Sequence, residues 1–209
     1  MTTIIDYGVG NLFSLACSLK KIGEPTQITS DKQAILAAER IILPGVGAFE
    51  DAARKLRESG LDKVLIQKAA SGTPILGICL GMQLLFDKSF EFGEHQGLGL
   101  IPGNIMPIAP AIGDLKAPQM GWNALIFPSD KPKHPIFKYV CSGDYVYFVH
   151  SYAAMDCSES VTALTEYGAL LTAAACRDNV CGTQFHPEKS GNVGLSILRA
   201  FTEIPAKQP

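Results

Sequence analysis

Apolar residues recur along the first half of this chain in two alternating rhythms. Short runs at Thr3-Ile4-Ile5-Asp6, Thr26-Gln27-Ile28-Thr29, Arg40-Ile41-Ile42-Leu43 and Thr73-Pro74-Ile75-Leu76-Gly77-Ile78 have the length and content of strands in a buried sheet. Between them, Leu12, Leu15, Ala16, Leu19 and Ile22 repeat at helical spacing until Gly23 stops them. Asp31 stands as an N-cap before a helix through Ala38, and amphipathic segments follow over 54–57 and 61–70. This alternation predicts an α/β fold with a mostly parallel central sheet flanked by helices. Right-handed crossovers then bring the loops after successive strands to one edge of the sheet.

From Asp87 the pattern changes. Gly93, Gly97 and Gly99 mark a long loop, with strand material at 98–101 and 104–106. Further strands are expected over 122–127, 144–149, 161–166, 171–176 and 181–185, with Arg177-Asp178-Asn179 as a hairpin turn. This half reads as an antiparallel extension of the sheet. A helix over 192–202 closes the chain, with Val193, Ile197, Leu198 and Phe201 inward. Neither a repeat nor a low-complexity linker interrupts the pattern, so residues 1–209 are expected to form one domain.

A net charge of −2 and no basic run longer than Lys20-Lys21 leave no electrostatic footprint for nucleic acid or an anionic membrane. No apolar run approaches the ~20 residues that span a bilayer, and Ile4-Ile5 follow the start without a basic leader. A cytoplasmic protein is expected, with its six cysteines as free thiols. None forms Cys-x-x-Cys, so no metal site is expected, and His95 and His134 read as structural residues of loops. Gly8-Val9-Gly10 opens the first helix, but Phe13 stands where a dinucleotide fingerprint needs its third glycine, and no cofactor is expected.

The chemistry concentrates at Gly77-Ile78-Cys79-Leu80-Gly81-Met82-Gln83. An apolar strand turns there into a helix expected to carry Met82, Leu84, Leu85 and Phe86, with glycines two residues to either side of Cys79. That is the layout of a nucleophile elbow. At a helix N-terminus, the partial positive charge favours thiolate over thiol. The alternative is a buried core cysteine. Pro44-Gly45-Val46-Gly47, at the end of the third strand, can turn backbone N–H groups toward the same sheet edge as an oxyanion loop.

A nucleophilic cysteine needs a base and a group to orient it. Among four histidines, His186 follows an apolar strand and has Glu188 two residues on, which in extended backbone puts both side chains on one face. The order nucleophile, histidine, acid departs from that of α/β-hydrolases and disfavours an esterase.

The Cys79 elbow together with His186-Pro187-Glu188 resembles the triad, or class I, glutamine amidotransferase family. Ile5-Asp6-Tyr7-Gly8-Val9-Gly10-Asn11-Leu12, Pro44-Gly45-Val46-Gly47, Gly97-Leu98-Gly99-Leu100-Ile101, Met120-Gly121-Trp122-Asn123, Val149-His150-Ser151-Tyr152 and Lys189-Ser190 extend the resemblance over nearly the whole chain. It implies a flavodoxin-like core and hydrolysis of L-glutamine through a cysteine thioester. Cys79 would be the nucleophile, His186 the base and Glu188 its orienter. Val46, Gly47 and Leu80 would supply the oxyanion donors, and Gly47, Gln83, His150, Ser151 and Tyr152 would hold glutamine. In the branch it resembles, ammonia passes to a separate (β/α)₈-barrel cyclase subunit that closes an imidazole ring in histidine biosynthesis. Asn11, Met120, Trp122 and Lys189 would face that partner. Gln119 departs from the family pattern, which has histidine before Met-Gly-Trp-Asn. The other readings are a non-catalytic module on the same fold and a cysteine hydrolase or protease on the same elbow.

Overall fold

The structure is a computed structural model that describes residues 1–205. The four apolar runs of the first half are strands β1 (Thr2–Ile5), β2 (Thr26–Thr29), β3 (Arg40–Leu43) and β4 (Ile75–Ile78). Helices α1 (Leu12–Lys21), α2 (Lys32–Leu36), α3 (Phe49–Ser59) and α4 (Leu61–Ala70) connect them. Asp31 caps α2 by accepting the N–H of Ala34 at 2.8 Å, but the helix stops at Leu36 rather than Ala38. Beyond the elbow come α5 (Leu80–Gln83), β5 (Phe86–Ser89), β6 (His95–Gln96) and β7 (Ile101–Pro107). Then follow β8 (Gln119–Ala124), β9 (Tyr145–His150), β10 (Tyr152–Met155) and β11 (Val161–Glu166). The chain closes with β12 (Leu170–Arg177), β13 (Val180–Thr183) and α6 (Gly191–Thr202).

The main sheet has seven strands in the order β11-β12-β13-β4-β3-β1-β2. From β13 to β2 every pairing is parallel, while β12 and β11 add the antiparallel extension at one edge. Alternate residues of the parallel strands enter opposite cores. Ile5, Ile41, Leu43 and Ile75 pack on one face with Phe49, Leu56 and Leu65. Ile4, Ile42, Leu76 and Ile78 pack on the other with Leu15, Leu19, Phe185 and Phe201. A strand covered on both faces has no polar alternation to show, which is why these runs read as continuously apolar.

Two features of the second half depart from the expected pattern. The helix after Cys79 lasts a single turn, and Phe86 begins β5 instead of continuing it. The physical reason lies in the glycine loop: the N–H groups of Leu98 and Leu100 donate to Leu84 and Leu85 carbonyls at 2.8 Å, and that of Gly99 to Phe86 at 3.1 Å. Those carbonyls are thereby taken up by another segment. Residues 98–100 make these bonds without becoming a strand, and β7 starts only at Ile101. The rest of this half builds a second sheet, β10-β7-β5-β6, and a two-stranded ribbon, β8-β9.

The elbow is packed backbone to backbone against the end of β3. A Cβ placed on Gly81 would lie 1.9 Å from the Leu43 carbonyl oxygen, and one on Gly45 would lie 2.6 Å from the Gly81 nitrogen. No side chain fits between these segments unless the sheet and helix separate. Gly81→Ala should therefore cost about 3 kcal/mol, the upper end of ordinary overpacking. In calorimetry the melting temperature should fall by roughly 6–12 °C for a chain of this size; an unchanged melting temperature would show that the contact relaxes freely.

Candidate active site

Cys79 stands between β4 and α5 with φ 53° and ψ −113°, a conformation that residues with side chains seldom adopt. Its N–H donates to the Thr183 carbonyl at 2.8 Å, so the neighbouring strand β13 holds the turn in place. The side chain is 8% exposed. Gln184 Nε2 approaches its Sγ at 3.8 Å, and the Val149 carbonyl lies at 4.0 Å. The N–H groups of Leu80, Gly81 and Met82 open α5 and have no carbonyl one turn earlier in the helix to accept them, whereas that of Gln83 donates to the Cys79 carbonyl at 3.1 Å.

His186 leaves the end of β13 and is fixed from several sides. Its N–H donates to the Tyr147 carbonyl at 3.0 Å, and its own carbonyl accepts from Ser190 Oγ at 2.7 Å. Ser190 Oγ in turn accepts the Tyr147 N–H at 3.0 Å. His186 Nδ1 lies 2.8 Å from Glu188 Oε1, both side chains being almost fully buried. The proximity does not arise from extended backbone. Pro187–Lys189 is a 3-10 turn, and proline at its first position favours that curl by fixing φ. Burial alone would lower the His186 pKa, but Cys79 and Glu188 outweigh it and raise it to about 9. Nε2 is buried and has no hydrogen-bond partner among the described residues, while Nδ1 is committed to Glu188. The geometry therefore provides a thiol and an oriented imidazole with one nitrogen in reserve, as acyl transfer requires.

A cavity of about 350 Å³ adjoins both groups. Val46, Gly47, Leu80, Gln83, His150, Ser151 and Tyr152 all border it, together with Cys79 and His186. Glu188 lies behind His186, away from this wall. Two of the lining side chains are already engaged. Gln83 Nε2 donates to the Tyr152 carbonyl and to Gln184 Oε1, each at 3.0 Å, which leaves its own carbonyl oxygen for a ligand. His150 has Nδ1 2.9 Å from the Tyr152 carbonyl and Nε2 2.9 Å from the Gln119 side chain. Burial pushes its pKa down to about 4, so the ring is neutral at neutral pH and its single N–H can serve only one of these two oxygens at a time. Gln119 is thus a buried side chain whose oxygen faces His150 Nε2 and whose Nε2 donates to Asn123 Oδ1 at 3.0 Å.

Val149, beside His150 in the quoted motif, also borders the cavity, as do Glu91 and Pro118, which sequence reasoning did not single out. Glu91 Oε2 accepts the N–H of Phe49 at 2.6 Å, capping α3 from a distant loop. Nothing in the sequence separates Glu91 from Glu94 in the same loop, because the distinction is made by long-range packing.

The residues expected at a partner face divide. Met120 and Trp122, 63% and 52% exposed, lie two apart on β8 and so share one face of the ribbon. Trp122 stands edge-on to Tyr147 with centroids 5.9 Å apart, and the Lys189 ammonium lies 5.7 Å from the same tyrosine ring. Asn11 is half-buried and caps α1 through Ser14, next to Gly45, Val46 and His186.

The family model for glutamine amidotransferase class-I matches residues 3–203. The chain belongs to that family. Among curated relatives, imidazole glycerol phosphate synthase subunit HisH of Carboxydothermus hydrogenoformans is 49% identical over 98% of this chain and 100% of its own. The subunit of the same description from Wolinella succinogenes is 48% identical, again over 98% of this chain and 100% of its own. The crystal structure of a glutamine amidotransferase superposes with a TM-score of 0.74 at 17% identity, covering 96% of this chain and 97% of that one. At that identity the superposition speaks for the class I amidotransferase fold alone. Among the described residues, no helix is long and apolar enough to cross a membrane.

The electrostatics of this amidotransferase site carry a pH signature. His186 should keep its proton until the pH rises through about 9. The pH profile of kcat/KM for glutamine should accordingly fall on the alkaline side near that value. Glu188→Gln removes a charge that raises the His186 pKa, so the alkaline limb should move to lower pH, toward the ordinary histidine range. A limb that stays in place in Glu188→Gln would separate Glu188 from the titrating group.

Proposed function

We propose that this chain is the glutaminase subunit of an imidazole glycerol phosphate synthase, with residues 1–209 acting as one glutamine amidotransferase domain. The observation that supports this most is the convergence of Cys79, His186 and seven cavity residues on one chamber in a chain so similar to subunits of that enzyme.

L-glutamine enters with its carboxamide toward Cys79. Glu91, the one acidic side chain bordering the cavity among the described residues, offers negative charge to the substrate ammonium group. The one proton of the Cys79–His186 pair rests on His186 Nε2, in keeping with the raised imidazole pKa, while Sγ attacks the carboxamide carbon. Negative charge on the resulting tetrahedral oxygen is met by backbone N–H groups of Leu80 and the Val46-Gly47 loop, each such donor contributing roughly 3 kcal/mol in comparable sites. His186 returns the proton to nitrogen as the C–N bond breaks, releasing ammonia and leaving a thioester on Cys79. Water then attacks the thioester with His186 again taking the proton, and glutamate leaves. Glu188 holds the imidazole orientation and supports its charged form through Nδ1. No cofactor takes part in this sequence.

The ammonia is delivered to a separate (β/α)₈-barrel cyclase, with which the chain forms a heterodimer in the cytoplasm. The exposed ribbon of Met120 and Trp122, joined by Tyr147 and Lys189, has the aromatic character of an interface centre. It lies directly over the site, because β9 carries Tyr147, whose carbonyl anchors His186, and Val149, whose carbonyl approaches Cys79. Asn11 lies beside Pro44, Gly45 and Val46 of the oxyanion loop.

The test uses the assembled synthase. Cys79→Ser should lower glutamine-dependent product formation by on the order of a thousandfold or more, as removal of a catalytic nucleophile does. Synthesis supported by added ammonium salt should stay close to its native rate. Equal loss of both activities would contradict the assignment of thiol chemistry here and cyclisation elsewhere.

A further inference from the structure

A second cluster of reactive side chains lies at the other end of β13 from His186. Cys176 and Cys181 are direct partners across the β12-β13 hairpin, either side of the tight turn at Asp178 and Asn179. Directly opposed residues on one face of such a pair hold their Cβ atoms roughly 5 Å apart. His134 closes over them from the loop between β8 and β9, at the start of the 3-10 turn Pro135–Phe137. Its Nδ1 lies 3.7 Å from Cys176 Sγ and its Nε2 3.9 Å from Cys181 Sγ. One ligand atom from each of the three residues can be chosen so that all lie within 4.8 Å of one another.

From these positions we propose that His134, Cys176 and Cys181 form a Cys₂His site for a thiophilic d¹⁰ cation, with Zn²⁺ as the fitting metal. Tetrahedral zinc with bonds of about 2.3 Å to sulfur and about 2.0 Å to nitrogen places its ligand atoms roughly 3.5–3.8 Å apart. The observed spacings need only small side-chain rotations to reach that. Both thiols lose their protons to solvent on binding, and one imidazole nitrogen becomes the third donor. The fourth position opens on a cavity of about 210 Å³ bordered by His134, Cys181, Asp178 and Phe201, which has room for a water ligand.

The site is separate from the glutaminase chamber. Cys181 pairs with Leu76 near the middle of β4, and His186 lies five residues further on, about 16 Å along an extended chain. Metal here would tie the segment bearing His134 to the strand that positions His186, which makes it a structural clamp. Sequence spacing half conceals the site, since Cys-x₄-Cys stands at the wide end of the usual zinc pair and the histidine lies 42 residues before the first cysteine.

The experiment uses the full chain carrying Cys79→Ser, so that the glutaminase thiol contributes nothing, fully reduced and stripped with a chelator. Titration with Co²⁺ should give one equivalent bound per chain, with thiolate-to-cobalt charge transfer in the near ultraviolet and visible bands of tetrahedral cobalt, all displaced by Zn²⁺. Adding Cys176→Ser or Cys181→Ser should abolish the charge-transfer band, His134→Gln should weaken it, and Cys141→Ser should leave it intact. Circular dichroism of each variant separates loss of ligand from loss of fold. As an independent readout, Zn²⁺ should raise the melting temperature of the Cys79→Ser chain but not of its Cys181→Ser derivative. The site is refuted if no charge-transfer band appears, if the band survives both serine substitutions, or if Zn²⁺ leaves the melting temperature unchanged.

Discussion

Everything at the site depends on one backbone contact, the approach of the strained turn at Cys79 to the end of β3 and to β13. A residue with a side chain at φ 53° is held there only if its surroundings leave no easier conformation. The surroundings do so in two ways. The Cys79 N–H is committed to Thr183 in β13, and the Gly45 and Gly81 backbones are too close to admit a Cβ. That closeness is what lets the 44–47 loop and the first turn of α5 border one cavity. Strain at Cys79 and proximity of two sets of backbone donors are therefore a single structural fact.

The base is placed by the same strand that restrains the nucleophile. β13 gives the Thr183 carbonyl to Cys79 and, three residues later, His186. Across from it, β9 supplies the Tyr147 carbonyl to His186 and the Val149 carbonyl beside Cys79 Sγ. The outer face of the β8-β9 ribbon carries the exposed Met120 and Trp122. A partner bearing on that ribbon would press on backbone bonded directly to His186, with no intermediate layer to absorb the displacement. Ser190 reinforces the link by bridging the Tyr147 N–H and the His186 carbonyl.

The parallel core was legible because its strands are apolar on both faces and its helices carry clear caps such as Asp31. The elbow was legible because glycine is required where backbones meet. Glu188 was located beside His186 for a wrong local reason, since the pairing depends on a 3-10 turn that the strand-like pattern concealed. Phe86 was assigned to a helix because its apolar spacing fits one, whereas carbonyls taken by residues 98–100 end the helix early. Glu91 and Pro118 border the cavity through contacts distant in sequence, which no local pattern encodes. Gln119 stood out only as a departure from a family pattern, and the structure places its side-chain oxygen 2.9 Å from the buried His150 Nε2. The cluster of His134 with Cys176 and Cys181 was hidden in the same way, by pairing across a hairpin and a loop.

The account is tested most directly by reacting the assembled synthase with one equivalent of an electrophilic glutamine analogue and mapping the modified peptide by mass spectrometry. Only Cys79 combines the strained turn, the partnered imidazole and the cavity bordered by the glutamine-sized set of residues. The label should fall on Cys79 alone among the six cysteines, and excess L-glutamine should slow its attachment. Comparable labelling of Cys17, Cys141 or Cys176, or labelling of Cys79 that glutamine does not slow, would contradict the assignment of this cavity as the glutaminase site.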